Sequence, residues 1–269
     1  MGHCLRSRIV RHRHQSDLGL ILVLKPRIAV VVVAYNAQET LEHVLDRIPS
    51  DFVSQITAVI VCDDASTDLT HEIVLNYQRQ STLPITVIRH SENLGYGGNQ
   101  KFGYDWAIRN SIDFVVLLHG DGQYAPEFLP QMLQPLLNND ADIVFGSRMM
   151  ARGSARHGGM PLYKFVGNKI LTRSQNFLAR VNLSEWHSGY RAYRVASLMG
   201  VKFHSNSNAF DFDTQIILQM IESRQRITEI PIPTFYGEEI SRVNSVKYGL
   251  QILGHTIRYR FKRHRAPSV

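Results

Sequence analysis

From residue 27 onward, short β-branched runs alternate with amphipathic stretches, and this alternation constrains the fold more than any other feature. The segments IAVVVVAY (28–35), ITAVIVC (56–62), PITVIRH (84–90), DFVVLLH (113–119) and ADIVFGSR (141–148) read as strands, being too short for stable helices and rich in residues that favour a pleated surface. Between them QETLEHVLDRI (38–48), LTHEIVLNYQRQ (69–80), GNQKFGYDWAIRN (98–110) and PEFLPQMLQPLL (126–137) read as helices; the first places Leu41, Val44, Leu45 and Ile48 on one face. Strand and helix in regular succession predict an α/β chain, with a mostly parallel, Rossmann-like sheet flanked by helices. In such sheets ligands sit beyond the carboxyl ends of the strands.

The period changes after residue 150. From Met160 to Arg180 the apolar Leu162, Phe165, Val166, Ile170, Leu171, Phe177 and Leu178 are interleaved with Lys164, Lys169, Arg173 and Arg180. That pattern predicts a basic amphipathic helix or helix pair, either packed on the core or docked on lipid headgroups. A further helix is expected over 210–223, a late strand over 227–234, and a closing helix over 241–261 with the stripe Val246, Leu250, Leu253 and Ile257. No repeat or low-complexity linker divides the chain. The expected organisation is a basic tail (1–26), one catalytic domain (27–240) and a basic amphipathic helix with its tail (241–269).

The net charge of +7 raises the question of a nucleic-acid partner. Residues 1–27 carry six Lys/Arg against one acid and residues 238–269 carry seven against two, so the body between them is mildly acidic. Two basic ends on an acidic body do not make a nucleic-acid groove. They suit an anionic membrane surface instead. The longest apolar runs, 18–24 and 28–34, fall far short of the roughly 20 residues a spanning helix needs. The segment 18–24 follows a basic stretch but is not followed by a small-residue cleavage site. Neither Cys4 nor Cys62 fits a disulfide framework. The expected location is therefore cytoplasmic, peripheral on the inner face of the membrane.

Four features fall where strands should end. Ala34, Tyr35 and Asn36 close the first strand. Asp63 and Asp64 close the second, followed by Ser66, Thr67 and Asp68, which would suit a helix cap and first turn. Capping leaves the two adjacent carboxylates unexplained, so Asp63 or Asp64 is a candidate contact for a base or ribose. The third feature, NLGYGGNQKFG (93–103), brings Gly97 and Lys101 to a helix start, where amides can hold phosphate and a lysine is unfavourable unless an anion is near; a tight turn with a solvated lysine is the alternative. The fourth is HGDGQ (119–123). If the strand stays extended, His119, Asp121 and Gln123 share a face, and oxygen donors there suit Mg²⁺ or Mn²⁺, which need only one or two protein carboxylates. The alternative is a plain turn shaped by Gly120 and Gly122.

In order and spacing, AYNAQETL, CDDASTD, NLGYGGNQKFG and HGDGQY resemble the nucleotide-binding half of glycosyltransferase family 2 enzymes of the GT-A fold. FGSR (145–148) and SGYRAYR (188–194) resemble acceptor-side motifs of dolichol-phosphate mannose synthase and related polyprenyl-phosphate glycosyltransferases. The resemblance spans about residues 28–235. It implies that Asp121 and Gln123 hold a divalent cation on the donor diphosphate, and that Ala34, Tyr35, Asn36, Asp63, Asp64, Gly97, Lys101, His119 and Gly120 form the nucleotide-sugar site. Asp121, Arg148 and Glu185 would be catalytic, and Arg148, Lys164, Ser188 and Arg191 would meet the acceptor phosphate. His119 is a departure, since the family often has an Asp there, and its role stays open between nucleotide contact and water-mediated metal contact. Glu185 could be a general base or a solvated loop carboxylate; Ser188 and Arg191 could be structural.

The implied activity is metal-dependent, inverting transfer of a hexose from a UDP- or GDP-linked sugar to a polyprenyl phosphate. An ionised acceptor phosphate needs no strong base, whereas a hydroxyl acceptor would need one, with Glu185, Asp211 or Asp213 as candidates. The competing readings are a glycosyltransferase acting on a soluble glycan and a catalytically silent nucleotide-sugar-binding protein.

Overall fold

A computed structural model describes residues 25–151, 153–233 and 245–265; most of the basic tail and residues 241–244 and 266–269 of the closing segment lie outside them. The elements in chain order are β1 (Ile28–Ala34), α1 (Leu41–Asp46), β2 (Ile56–Asp63), α2 (Thr70–Gln80), β3 (Ile85–Arg89), α3 (Tyr96–Arg109), β4 (Phe114–His119), α4 (Leu129–Leu137), β5 (Ile143–Ser147), α5 (Ser154–His157), α6 (Leu162–Ala179), β6 (Arg191–Arg194), α7 (Val195–Met199), α8 (Phe212–Glu222), β7 (Ile227–Pro231) and α9 (Ser245–Arg265). One seven-stranded sheet has the order β3-β2-β1-β4-β6-β5-β7. Strand β6 runs antiparallel to both β4 and β5, and the other pairings are parallel.

Alternation along β1 divides the core. Val30 and Val32 face a cluster completed by Leu41, Leu45, Leu129 and Met132, while Ala29 and Val31 face one completed by Tyr104, Phe212 and Ile216. Both faces are covered, so the strand is a continuous apolar run. Helix α3 lies close on β1, because a Cβ at Gly103 would stand 2.4 Å from Cγ1 of Val31.

Strand β1 is flanked by β2 on one side and β4 on the other, which puts the reversal of strand order between β1 and β4. Val33 pairs with His119 there. The crevice at such a reversal is where doubly wound sheets bind ligands.

Helix α6 is a single helix, and it sits the opposite way round from a core-packed amphipathic helix. Its buried residues are Asn168, Thr172, Gln175 and Ala179, whereas Leu162, Tyr163, Val166, Ile170 and Phe177 are exposed, Phe177 to 82%. The polar face is buried against partners: Asn168 donates to Glu185, Thr172 to Asn168, and Gln175 to Thr214, while Gln175 Oε1 is buried without a hydrogen-bond partner among the described residues. Helix α9 packs against α6 and α8 through Ile252, Thr256 and Tyr259, leaving Val246, Leu250, Ile257 and Phe261 outward.

Candidate active site

The first three strand-end features form one knitted wall. Asn36, at φ 49°, receives the Thr67 amide on its side-chain oxygen (2.9 Å) and donates its own amide to Ser66 Oγ (2.9 Å). Ser66 and Thr67 thus clamp the neighbouring turn and do not cap α2; Asp68 instead receives the Thr70 amide at 3.0 Å. The Asp64 amide donates to the carbonyl of buried Ala34 (2.9 Å). The Asp64 carboxylate takes the amides of Leu94 (2.7 Å) and Gly95 (3.1 Å), so it shapes the glycine-rich turn. Burial raises its pKa, with the two amide bonds opposing. Asp63 is fully buried, receives the Ser66 amide, and lies 3.6 Å from Arg89 and 3.8 Å from His71. Tyr35, at the end of β1, is 39% exposed.

One expectation for the glycine-rich turn is corrected. Lys101 points away from any phosphate at the helix start: its ammonium donates to the carbonyls of His204 (3.3 Å) and Asn206 and to Asn208 Oδ1 (2.8 Å). Helix α3 begins at Tyr96, so Lys101 stands in its second turn, and a loop a hundred residues away supplies the oxygens that its ammonium meets. Gly97 is required for close approach, since a Cβ there would come within 2.6 Å of both Phe212 Cβ and the Ser207 carbonyl oxygen.

Strand β4 stops at His119, so strand alternation no longer sets the direction of Asp121 and Gln123. They lie in a turn in which Gln123 N donates to Asp121 Oδ1 (3.1 Å) and Gly122 takes φ 77°. Buried Gly120 ties this turn to the end of β1: its amide donates to Val33 O (2.9 Å) and its carbonyl accepts Thr40 Oγ1 (2.6 Å). Among the described residues no cluster of three His, Cys, Asp or Glu could hold a metal. One carboxylate and one amide oxygen still fit Mg²⁺ or Mn²⁺ whose other ligands come from a diphosphate and water.

His119 packs apart from that turn. Its ring is edge-on to Tyr96 and Tyr124, with Nε2 3.5 Å from the Tyr96 hydroxyl, and a Cβ on Gly189 would lie 2.5 Å from its Cε1. Burial lowers its pKa to about 4. His187 is lowered to about 4 for the same reason. Both are neutral in the fold and take up protons in the unfolded chain below about pH 6.5, so the folded state binds fewer protons in that window. Stability is expected to be complete above about pH 6.5 and to fall progressively toward pH 4. Urea unfolding at stepped pH checks this, and His119→Gln should flatten the dependence.

On the acceptor side Arg148 and Glu185 form a buried pair. Arg148 donates Nε (3.0 Å) and Nη2 (2.5 Å) to Glu185 Oε1 and its amide (2.7 Å) to Oε2. Burial opposes ionisation of Glu185, but Arg148 and Asn168 outweigh it and hold the carboxyl below the ordinary glutamate range. Glu229 of β7 receives the amides of Ser184 and Glu185 and so fixes this loop. Glu185 therefore anchors Arg148 rather than standing ready as a base. Arg191 is 1% exposed and inward, with Nη1 3.1 Å from Asp213 and further bonds to the carbonyls of Ser188 and Trp186. That geometry corrects its expected contact with an acceptor phosphate, and buried Ser188 shapes the same turn. Lys164 lies in the first turn of α6, half-buried.

Tyr124, Tyr96 and Asn168 were missed from the sequence. Tyr124 accepts the Gly189 amide (2.6 Å), has Arg148 5.9 Å from its ring, and feels the charges of Arg148, Glu185 and Asp121, so it links the two halves of the site. The signal available was its place one residue after Gln123.

Comparison with known proteins shows the family of the chain. The model of glycosyl transferase family 2 matches residues 29–201. The UDP-N-acetylglucosamine–dolichyl-phosphate N-acetylglucosaminyltransferase of Methanococcus voltae is 26% identical over 84% of this chain and 92% of its own. The undecaprenyl-phosphate mannosyltransferase of Micrococcus luteus is 28% identical over 80% of this chain and 85% of its own. The structure of glucosyl-3-phosphoglycerate synthase from Mycobacterium tuberculosis, in complex with Mn²⁺, UDP and phosphoglyceric acid, shares the fold at TM-score 0.64 and 17% identity, over 90% of this chain and 80% of that one. With its family model covering most of the sheet and the whole of the crevice between β1 and β4, the chain belongs to glycosyl transferase family 2 and is an enzyme of that family.

Proposed function

We propose that this enzyme transfers a hexose, with inversion, from a nucleotide sugar to a polyprenyl phosphate at the cytoplasmic face of an anionic membrane. The observation that carries the reading is the state of the acceptor-side carboxylates. Glu185 is bound to Arg148, Asp213 to Arg191 and Tyr96, and Asp211 to His255 at 2.8 Å. Each of the three candidate bases is committed to a cationic or hydrogen-bonding partner. An acceptor that arrives ionised needs no base, so a phosphate suits this site better than a sugar hydroxyl. The names of the relatives support the same acceptor class.

The outward faces of α6 and α9 favour a lipid-borne phosphate. Neither helix contains an acidic residue; exposed Lys169 and Arg173 accompany the apolar face of α6, and exposed Lys247, Arg258 and Lys262 that of α9. Apolar side chains bordered by cations are what an anionic interface binds. No helix among the described residues is long and apolar enough to cross a membrane.

In the reaction, Tyr35 and Asn36 would line the nucleoside pocket, and Asp121 with Gln123 would hold Mg²⁺ or Mn²⁺. When bound, the cation neutralises charge on the departing nucleoside diphosphate. Arg148, fixed by Glu185, would supply the positive charge that meets the acceptor phosphate and holds the acceptor opposite the leaving group. Labelled UDP-glucose and GDP-mannose, each supplied with and without polyprenyl phosphate and divalent metal, test the reading. Label should enter organic solvent only when acceptor and metal are both present; label on a water-soluble glycan, or no transfer, would overturn it.

A further inference from the structure

The two helices with outward apolar faces also reach Arg148 from separate directions. Helix α6 does so through Asn168, whose amide donates to Glu185 Oε1 at 2.8 Å. Helix α9 does so through Tyr248, which no step of the reaction uses. Its hydroxyl is 3.1 Å from Nδ1 of His187, and its ring is edge-on to the imidazole with centroids 5.8 Å apart. The carbonyl of the same His187 accepts Arg148 Nη2 at 3.0 Å. Among the described residues His187 Nε2 is buried with no hydrogen-bond partner, so the Tyr248 hydroxyl is the polar contact that sets the imidazole's orientation. The neighbouring loop is closely fitted, since Gly189 is held by Tyr124 and leaves no room for a side chain.

We propose that Tyr248 is a positioning residue that couples the seating of α9 on lipid to the placement of Arg148, through His187. The inference rests on the function proposed above, in which Arg148 meets phosphate and α9 faces the bilayer. On a membrane, Val246 and Leu250 enter the interface on either side of Tyr248, and the helix then presses its hydroxyl onto His187. The His187 carbonyl keeps the guanidinium in one orientation. With α9 unseated the bond loosens and Arg148 loses the support of the His187 carbonyl.

Tyr248→Phe removes the hydroxyl, with its contacts to His187 and Thr214, and keeps the ring contact, which makes it the variant of choice. Wild type and Y248F would be assayed on long-chain polyprenyl phosphate in phosphatidylglycerol vesicles and on a short-chain prenyl phosphate in solution. Wild type should be faster on vesicles. Y248F should lose about tenfold in kcat on vesicles, in the range that one positioning hydrogen bond commands. Its KM for the nucleotide sugar and its co-sedimentation with vesicles should be unchanged, its melting temperature should fall modestly because a buried imidazole nitrogen loses its partner, and its vesicle-to-soluble ratio should approach one. A Y248F variant that keeps the wild-type ratio overturns the proposal. So does one whose rate falls only in step with melting temperature or vesicle binding. Failure of wild type to label either prenyl phosphate overturns the acceptor assignment itself, and this coupling with it, a result distinct from Y248F matching an active wild type.

Discussion

Asp121→Ala is expected to lower kcat/KM by about 10³-fold, about 4 kcal/mol at the barrier, with the unfolding curve unchanged. The size follows from the shortage of alternatives. Many sites of this kind could shift a cation onto a second carboxylate, but here the neighbouring position is His119, whose ring is taken up by Tyr96, Tyr124 and Gly189. Removing Asp121 leaves the Gln123 amide as the sole protein ligand expected at the turn, and an amide carries no charge to offset the cation. Stability should hold because the turn keeps its backbone ties, from the Gly120 amide to Val33 and from Thr40 to the Gly120 carbonyl. Steady-state transfer over a Mn²⁺ titration, with urea unfolding in parallel, makes the measurement. Wild-type turnover, or full recovery at high Mn²⁺, would remove Asp121 from the cation site.

The sheet was legible because its evidence is local. β-branched runs such as 28–34 and 56–63 are buried on both faces and declare themselves without knowledge of their neighbours. Strand β6 was not recognised, because RAYR begins and ends with arginines and reads as a polar turn. Its Arg191 lies inside the fold only because Asp213, contributed by α8, meets it there. The same reason accounts for the corrected site residues. A lysine expected at a helix start was visible as a misfit, but α3 begins at Tyr96, which puts Lys101 in its second turn, and the partners of its ammonium lie at residues 204–208. The periodicity of α6 was visible as well. Which side faced the protein depended on Glu185 and Thr214 accepting its polar groups, and no spacing within the helix carries that information.

Glu185 offers the sharpest contrast between a base and an anchor, and the two roles predict different outcomes for the same substitutions. Glu185→Ala is expected to destabilise the fold by about 3–5 kcal/mol, because the Arg148 side chain, 7% exposed, would keep a buried charge without its carboxylate partner. The Arg148 amide and Asn168 would lose their acceptor as well. Glu185→Gln keeps the shape and one oxygen but turns an amide NH₂ toward donors, so a smaller loss of about 1–3 kcal/mol is expected. If Glu185 anchors Arg148, E185Q should retain measurable transfer with a raised KM for the phosphate acceptor. If it were the base, E185Q would abolish turnover without moving the unfolding curve. A double replacement separates the terms: Arg148→Met with Glu185→Leu removes both charges together and should recover part of the stability lost in E185A, while remaining inactive for want of the guanidinium. Chemical denaturation of the three variants, with acceptor kinetics on E185Q, decides the matter; an inactive E185Q of wild-type stability would return Glu185 to the role of base and reopen the hydroxyl acceptors.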